Sequence, residues 1–456
     1  MQAFSDIIAT IDGWLWGFPL IIVLLGTHIF MTIRTGFIQR YTIKGIKLSV
    51  TPDPDAEGEV SQFGALATAL AATIGTGNIV GVATAFIAGG PGAILWMWFT
   101  GVFGIASKYA ETVMSVKYRV QTKDGRMLGG AMLALERGLN ARWLAIIFAV
   151  LATFASFGIG CMTQANAIST GMSQNFGIPT WVTGLVVAVL VGVVIIGGVK
   201  SITKVTEKLV PFMALFYVLG CLVIIIMNIT HLWDAIVLIV TDAFSAKAVG
   251  GGLLGTVVRY GCARGLFSNE SGMGSAPLVA AAARTRNPIR QSLVSMTGTF
   301  WDTVVICLIT GLTLTTGVLA HPELSESMGD KSVLTFAVFE QIPVIGKPLI
   351  ALAIALFAYS TLLGWSYYGE KAAEYLVGPG VIKVYKIAFI IFAFIGSVAA
   401  LELVWNIADI LNGLMVIPNV IGMIGLSGVI VAEGKKYLND IDAYSNEEVP
   451  VWDRFK

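Results

Sequence analysis

IGTGN at residues 74–78 and SNESGMGS at residues 268–275 are the two stretches that decide the fold of this chain. Each is rich in glycine and polar side chains, and each interrupts an apolar run, 62–88 or 250–283, that is long enough to cross a bilayer. Glycine inside a helix costs about 1 kcal/mol relative to alanine, so clustered glycine with serine or asparagine favours unwound backbone. Irregular backbone at membrane depth is tolerated only where protein or a water-filled cavity satisfies it. We therefore predict two discontinuous membrane helices.

The rest of the chain has the composition of a membrane protein. Of its 456 residues, 56% are hydrophobic and 12% are charged, and the mean hydropathy is +0.81. Soluble chains carry about 25% charged residues, so this chain lacks the charge to cover a water-facing surface. A net charge of +1 indicates no nucleic acid partner. The cysteines form no CxxC pair and are interpreted as small apolar residues of the spans: Cys161, Cys221, Cys262 and Cys307.

Long apolar runs recur along the sequence and predict an all-α membrane protein with eleven transmembrane helices. The predicted spans are 14–36, 62–88, 92–118, 143–172, 179–198, 208–229, 250–283, 290–318, 346–376, 381–399 and 403–431. The loop at 321–345 is predicted to hold a further helix over the mouth of the protein.

The broken spans each open a block of five spans, and because five is odd the second block runs in the opposite sense to the first. We predict one extra N-terminal helix followed by a 5+5 inverted-topology repeat, with a site near the bilayer midplane. The alternative is that the glycines only allow close helix packing. The predicted units are the extra helix and linker (1–60), the first repeat (61–230), an amphipathic connector (231–249), the second repeat (250–432) and a tail (433–456).

Lysine and arginine are distributed unevenly between the loops of the two sides. The loops after the first, third, fifth, seventh, ninth and last spans carry nearly all of them, and the opposite side holds only Lys247, Lys331 and Lys347. Cytoplasmic loops are enriched in these residues. We therefore predict a multi-pass protein of the cell membrane, surrounded by lipid, with its N-terminus outside and its C-terminus in the cytoplasm.

The first break has the chemistry of an anion site. The half-helix after it begins near Ile79, so its free N–H groups and the positive end of its dipole point into the predicted site. Such an end suits a carboxylate. We predict that a substrate carboxylate is held by Asn78 and by the backbone of Gly75, Thr76 and Gly77.

Further side chains are predicted to complete the substrate pocket. Gln164 can both donate and accept hydrogen bonds, with an interhelical bond as its alternative role. Trp365 and Met273 are predicted apolar walls that favour a small substrate, and a role at the membrane interface or in packing is the alternative for Trp365. Ser271 and Gly272 of the second break belong to the same predicted set. The carbonyls freed at the ends of the first half-helices are predicted acceptors for an ammonium group or sodium.

Some ionisable residues lie deep in predicted spans, where a charge is costly and usually faces a cavity or the bundle interior. Arg264 with Asp409 is predicted to form an outer gate, and a static structural pair is the alternative. Glu270 is predicted to orient the broken backbone. Asp302 is a candidate protonation site, which leaves proton-coupled transport open.

GGPGAILWMW at 89–98, followed by KYAE at 108–111, resembles the signature of the alanine or glycine:cation symporter family. GLFSNESGMGSAP at 265–277 is similar to the second signature of that family, with Ser271 where alanine is more usual. The resemblance covers essentially the full chain. It implies sodium-coupled uptake of alanine or glycine on the inverted-repeat fold of the bacterial leucine transporter, preceded by one extra helix.

The resemblance also implies a sodium site between the first broken helix and the third helix of the second repeat, where the leucine-transporter fold uses an adjacent Thr-Ser pair. The matching pair here is Ser360 and Thr361 in reversed order, with carbonyls of Gly77, Val80 and Phe357 as the other ligands. The alternative is that both hydroxyls bond back to carbonyls of their own helix.

The sequence does not match the motifs that we compared for nucleotide binding, which disfavours an enzyme or an ATP-driven pump. The glycines of the first break miss the dinucleotide-binding spacing by one residue, and those near Gly197 miss the P-loop spacing by two. Two classes of transport protein remain, a secondary symporter and a gated channel that uses the breaks as a filter. Two non-identical breaks in inverted blocks favour the symporter, because channel filters usually come from several like subunits around an axis.

Overall fold

The computed structural model describes residues 2–53, 55–245, 256–324, 333–399, 402–452 and 454. Over these ranges the chain is helical almost throughout, and its strands are the short antiparallel pair Val120–Gln121 and Met127–Leu128. Parts of the predicted connector (246–249), seventh span (250–255) and outer loop (325–332) lie outside the described residues.

We number the α-helices in chain order. They are α1 Gln2–Leu15, α2 Phe18–Arg34, α3 Thr42–Ser49, α4 Gln62–Thr73, α5 Val80–Gly89, α6 Ala93–Lys117, α7 Ala131–Leu133, α8 Arg142–Phe157, α9 Thr163–Phe176, α10 Thr180–Ile196, α11 Gly198–Met227, α12 Leu232–Ala243, α13 Thr256–Asn269, α14 Pro277–Ala280, α15 Pro288–Thr299, α16 Leu308–Ala320, α17 Val333–Phe339, α18 Gly346–Val377, α19 Val381–Val398, α20 Glu402–Gly425 and α21 Ser427–Tyr437. Short 3₁₀ segments lie at Ile38–Tyr41, Thr76–Asn78 and Ile229–His231, and π-helical segments at Ala134–Gly138, Gly158–Met162 and Phe300–Cys307.

Seven described helical segments are long and apolar enough to cross a membrane: Ser5–Arg34, Arg142–Phe176, Gly198–Met227, Pro288–Ala320, Gly346–Val377, Val381–Val398 and Val404–Gly425. The pair Gln62–Thr73 and Thr76–Gly89 passes the same test as one span bent by 61°. The apolar helix Thr180–Ile196 is shorter. The chain is therefore an all-α membrane protein, as its composition predicts, and the first predicted break is a sharp bend in the described structure.

The outward faces of the helices are apolar. Val193, Ile196 and Ile226 are largely exposed, whereas polar side chains such as Gln291 and Asp302 are fully buried. This distribution reverses that of a soluble protein and suits hydrocarbon as the outer solvent. It leaves the polar groups of the spans facing one another, where a site can form.

Glycines let the broken helices approach their neighbours closely. A Cβ atom at Gly364 of α18 would lie 2.6 Å from Cβ and 2.8 Å from the backbone nitrogen of Ala72 in α4. A Cβ atom at Gly265 of α13 would lie 2.2 Å from Oγ1 of Thr100 in α6. Small residues at such crossings are the usual means of close packing between membrane helices. They hold α4 against α18 and α13 against α6.

The loops that carry the basic residues meet at one end of the molecule, which we call the basic end. There Arg286 lies 2.7 Å from the carboxylate of Asp53. The C-terminal segment crosses the same end, where the backbone N–H of Trp452 donates to the carbonyl of Gln121 at 2.7 Å. Segments far apart in the sequence are thus joined outside the apolar zone.

The close crossing of α4 and α18 predicts that adding one methyl group at Gly364 lowers the stability of the protein. Gly364→Ala should destabilise the protein by about 1–3 kcal/mol, as overpacking of a core does, because the new methyl meets the backbone of Ala72. Gly26→Ala is the matched control, since no atom lies within 4 Å of a Cβ at Gly26 in α2. We expect a lower melting temperature in detergent for the first variant alone. Equal melting of the two variants would contradict the close contact.

Candidate functional site

The first break is closed by its own asparagine. After α4 ends at Thr73, Oδ1 of Asn78 accepts a hydrogen bond from the N–H of Gly75 at 2.9 Å, and α5 begins at Val80. Asn78 therefore fixes the tight turn that the glycines permit. The first N–H groups of such a turn have no partner within it, so Thr76 and Gly77 present donors at the bend.

The amide nitrogen of Asn78 is directed toward the π-helical segment Phe300–Cys307. Its Nδ2 donates to Oδ1 of Asp302 at 2.7 Å and to the Asp302 carbonyl at 3.2 Å, and it lies 3.3 Å from Sγ of Cys307. The side chain is fully buried, and both its oxygen and its nitrogen form hydrogen bonds within the protein. In this structure Asn78 bonds the backbone of the break and Asp302 and does not line the cavity described below, so its contact with a substrate carboxylate stays a prediction.

The second break depends on backbone of positive φ. Beyond the end of α13 at Asn269, φ is +51° at Glu270, +87° at Gly272 and +83° at Gly274. The two glycines adopt this conformation readily, whereas positive φ raises the conformational free energy of a residue with a side chain. Helical structure resumes only at Pro277. The break is longer than the first, and its backbone needs partners from elsewhere.

Those partners come from α6. The carboxylate of Glu111 accepts hydrogen bonds from the N–H of Gly272 at 2.5 Å and of Gly274 at 3.0 Å. Nζ of Lys108 donates to the carbonyl of Glu270 at 3.0 Å. Lys108 and Glu111 are three residues apart and so share one face of the helix. The two signature stretches, 108–111 and 265–277, are thus in direct contact.

A small cavity of about 30 Å³ lies between the two breaks. It is lined by Ala72, Thr73, Gly75, Thr76, Gly77, Ile159, Gln164, Phe267, Ser268, Glu270, Thr361, Trp365 and Asn412. The structure therefore brings together Gly75, Thr76 and Gly77 of the first break with Gln164 and Trp365, whereas Asn78 is not part of the lining. Asn412 is a lining residue that sequence reasoning missed, although a polar residue in an apolar span is the same signal that pointed to Gln164.

Gln164 is aimed into the cavity by a defect in its helix. The π-helical segment Gly158–Met162 joins α8 to α9, and Nε2 of Gln164 donates to the carbonyl of Ile159 at 3.1 Å. Oγ1 of Thr76 donates to Oε1 of Gln164 at 3.4 Å. Such π-bulges are frequent at functional sites. Gln164 thereby links the first break to the opposite wall of the cavity.

Trp365 and Glu270 form the second polar wall. Nε1 of Trp365 donates to Oε1 of Glu270 at 3.0 Å, and Oγ of Ser275 donates to Oε2 at 2.5 Å. The indole packs on the π-helical segment, where a Cβ at Gly160 would lie 2.3 Å from that of Trp365. A carboxylate has about four acceptor sites, so Glu270 retains capacity for a cationic group in the cavity.

Three residues of the second break that were predicted to bind substrate lie outside the cavity lining. Ser271 shares a hydrogen bond of 2.8 Å with Thr299 of α15. Gly272 packs on Leu24 of α2, and Met273 is fully buried in the same apolar cluster. The positive φ values turn the chain here away from the cavity and toward α2, so the wall on this side is Phe267, Ser268 and Glu270 instead.

Oxygen atoms converge on Ser360 beside the cavity. Its Oγ lies 2.8 Å from the carbonyl oxygen of Phe357, 3.1 Å from that of Ala71 and 3.4 Å from that of Ile74. Oγ1 of Thr361 lies 3.0 Å from the Phe357 carbonyl. A hydroxyl has one hydrogen to donate, so three carbonyls around it leave acceptor oxygens to spare. Both hydroxyls bond the Phe357 carbonyl of their own helix, which is the alternative role of the pair, and Ser360 also lies near two carbonyls of the first broken helix.

The carbonyls beside Ser360 coincide only in part with the predicted sodium ligands, and the ion site stays a prediction. Gly77 and Val80 were expected, but the oxygens near Ser360 belong to Ala71 and Ile74, and the Val80 carbonyl accepts instead from Oγ1 of Thr84 inside α5. The physical reason is the polarity of a broken helix. Free carbonyls occur where a helix ends, and free N–H groups where one begins. A cation therefore fits the end of α4 rather than the start of α5.

The proposed gate pair is not in contact among the described residues. The guanidinium of Arg264 lies 5.9 Å from the ring centroid of Phe267, and Oδ1 of Asp409 has no hydrogen-bond partner in the described part of the chain. Arg264 is nevertheless near enough to interact electrostatically with both Asp409 and Asp12. The gating role of this pair stays a prediction.

A polar cavity between two interrupted helices, deep within an all-α membrane protein, defines the class as secondary transporter. The sequence comparison is more specific. Residues 1–450 match the sodium:alanine symporter family, and the chain belongs to that family. This confirms the resemblance seen in the signature stretches.

Several relatives match over nearly their full length. The chain is 50% identical over 442 residues to the sodium/alanine symporter AgcS of Methanococcus maripaludis, covering 95% of this chain and 97% of that protein. It is 36% identical over 440 residues to the probable sodium/glutamine symporter GlnT of Bacillus subtilis, covering 96% and 91%. The putative sodium/proton-dependent alanine carrier protein YrbD of Bacillus subtilis is 34% identical over 448 residues, covering 95% and 92%.

Exchanging two side chains tests whether Asn78 positions the break or binds substrate. Asn78→Asp places two carboxylates together and should abolish transport, since the donor to Asp302 is lost and like charges repel. The double variant Asn78→Asp, Asp302→Asn restores one donor and one acceptor, and should recover transport to within about tenfold of the unaltered protein. Asp302→Asn alone is the control.

The readout is initial uptake rate in proteoliposomes, with melting temperature measured in parallel. If Asn78 instead held the substrate, the change at residue 302 would not rescue Asn78→Asp. Failure of rescue with normal melting would therefore contradict the positioning role.

Proposed function

We propose that the protein is a secondary active symporter that couples sodium influx to uptake of alanine or glycine by alternating access. One observation carries this proposal: the cavity and the oxygen cluster share the first break. A Cβ at Gly75 would lie 2.6 Å from Oγ1 of Thr361, which lines the cavity and accompanies Ser360. An ion bound at the end of α4 would therefore fix the backbone that holds the substrate.

The proposed substrate pose places each end of a zwitterion against complementary groups. Its carboxylate accepts hydrogen bonds from the N–H groups of Thr76 and Gly77, at the positive end of the half-helix. Its ammonium group faces Glu270, Oε1 of Gln164 and the carbonyls at the end of α13. The Trp365 wall supports a substrate with a short side chain. The name of the relative AgcS supports alanine.

The proposed architecture is eleven spans with an inverted-topology repeat, the basic end in the cytoplasm and the N-terminus outside. A reciprocal pair of contacts supports the repeat. α6, which follows the first break, holds the second break through Lys108 and Glu111. The segment Phe300–Cys307, which follows the second break, holds the first through Asp302. Two equivalent helices placed by a pseudo-two-fold axis would make such an exchange.

Proton coupling is a second candidate, and Asp302 is the observation that favours it. Its carboxylate is fully buried and bonds Asn78 through Oδ1. Oδ2 accepts hydrogen bonds from the hydroxyl of Ser268 at 3.0 Å and from that of Thr303 at 2.6 Å. A change in its protonation would alter contacts at both breaks. The name of the relative YrbD mentions both sodium and proton dependence. A gated channel is a weaker alternative, because the two breaks that flank the cavity are not equivalent, whereas channel filters usually come from several like subunits.

Uptake of labelled alanine into proteoliposomes tests the function. An inward sodium gradient should drive saturable, concentrative uptake, and an inward proton gradient at equal sodium should not. A potential of about 100 mV supplies about 2.3 kcal/mol per charge, enough for roughly fiftyfold accumulation. Uptake that follows the proton gradient would select the second candidate, and fast unsaturable flux without accumulation would contradict a symporter.

Removing the hydroxyl of Ser360 tests the ion site. Ser360→Ala should raise the sodium concentration for half-maximal uptake at least about tenfold, since one oxygen ligand is lost near three carbonyls. Ser366→Ala is the matched control, because Ser366 is buried in the same helix and bonds only the Leu363 carbonyl at 2.7 Å. Equal sodium dependence of both variants, with normal melting, would rule out this site.

A further inference from the structure

A second pocket, of about 400 Å³, opens at the basic end, between the corner that follows α2 and the helix α21. It is lined by Arg34, Thr35, Gly36, Arg40, Tyr41, Tyr109, Ile430, Val431, Gly434, Lys435, Leu438 and Asn439. It does not share a lining residue with the cavity between the breaks. Its chemistry is therefore independent of the proposed transport site.

The pocket is positively charged. Arg34, Arg40 and Lys435 contribute three cations, and its lining contains no acidic residue. Among the described residues none of these three cations forms an ion pair, and Arg40 rests at 5.0 Å over the ring of Tyr41. The neighbouring acid Glu433 is bound by Lys117 at 2.7 Å. The lining thus offers positive charge without an internal counter-ion.

An unused buried hydroxyl also faces the pocket. Tyr109 is 1% exposed and lines it, and its hydroxyl has no hydrogen-bond partner among the described residues. Buried polar groups are nearly always hydrogen-bonded, so an unpartnered one calls for an explanation. Tyr109 belongs to the signature stretch 108–111, yet it plays no part in holding the second break. A ligand in the pocket would supply the missing acceptor.

Exposed apolar side chains lie next in sequence to the lining residues of the corner. Phe37 is 61% exposed and Ile43 is 70% exposed, and Ile33 also faces outward. Gly36 and Phe37 both have positive φ, +64° and +59°, which turns the chain sharply as it leaves α2. The corner therefore lies at the edge of the apolar zone, with cations inside the pocket and apolar side chains around it. Apolar side chains beside the cations would contact the acyl chains of a lipid, whereas a soluble anion has no apolar part to contact them.

We propose that this pocket binds the phosphate group of an anionic phospholipid. The guanidinium groups of Arg34 and Arg40 and the ammonium group of Lys435 contact the phosphate, and the hydroxyl of Tyr109 donates to one of its oxygens. The acyl chains lie along Ile33 and Phe37. Basic pockets at the ends of membrane helices recognise headgroups in this way. The bound lipid joins the N-terminal corner to α21, which are distant in sequence.

The test is lipid-dependent melting of the purified full-length protein in detergent. Dioleoylphosphatidylglycerol should raise the melting temperature saturably, whereas dioleoylphosphatidylcholine and sodium phosphate should not. The triple variant Arg34→Gln, Arg40→Gln, Lys435→Gln should raise the half-saturating phosphatidylglycerol concentration at least about tenfold. Tyr109→Phe should raise it about threefold or more through loss of one hydrogen bond.

The matched control removes three exposed lysines elsewhere, Lys200→Gln, Lys204→Gln and Lys383→Gln, and should leave the lipid effect unchanged. Equal stabilisation by both phospholipids, or an equal loss in the control, would overturn the proposal. Stabilisation by inorganic phosphate that competes with the lipid would show an anion site rather than a lipid site. If the triple variant fails to fold, Lys435→Gln alone decides, because its side chain is exposed.

Discussion

Unwound backbone inside a bilayer must find its hydrogen bonds within the protein, and the rest of this structure depends on that constraint. At the second break the N–H groups of Gly272 and Gly274 have no helical partner, and the carboxylate of Glu111 takes both. At the first break the N–H of Gly75 is taken by Asn78. Each solution requires a buried polar side chain, which is costly unless it is fully bonded. The polar core of the protein is the consequence.

Hydrogen bonds among these buried side chains connect the two breaks. Asn78 bonds Asp302, and Asp302 in turn bonds Ser268 at the end of α13. Glu270 is bonded by Trp365 of α18, the helix that also carries Ser360. A displacement at either break therefore disturbs hydrogen bonds at the other. Packed polar networks of this kind have discrete arrangements rather than continuous ones, which is compatible with the proposed alternating access.

The two ends of a broken helix differ in what they can bind. α4 ends in free carbonyls, at Ala71 and Ile74, and these meet the hydroxyl of Ser360. The following turn begins with free N–H groups, at Thr76 and Gly77, which line the cavity. One interruption thus provides acceptors for a cation and donors for an anion within a few residues. This proximity is the structural basis for the proposed coupling of ion and substrate.

The sequence by itself determined the class of protein, the positions of the helices and the two breaks, because apolar length and clustered glycine act locally. It also pointed to Gln164, Trp365 and the Ser360–Thr361 pair, since polar groups in an apolar span are costly unless they have a bonding partner. Only the tertiary structure decided which way each side chain faces. Asn78 turns to Asp302, 224 residues away, and the carbonyls that Ser360 meets on the broken helix belong to Ala71 and Ile74. Helical periodicity assigns a residue to a face, but the partner on that face comes from a distant part of the chain.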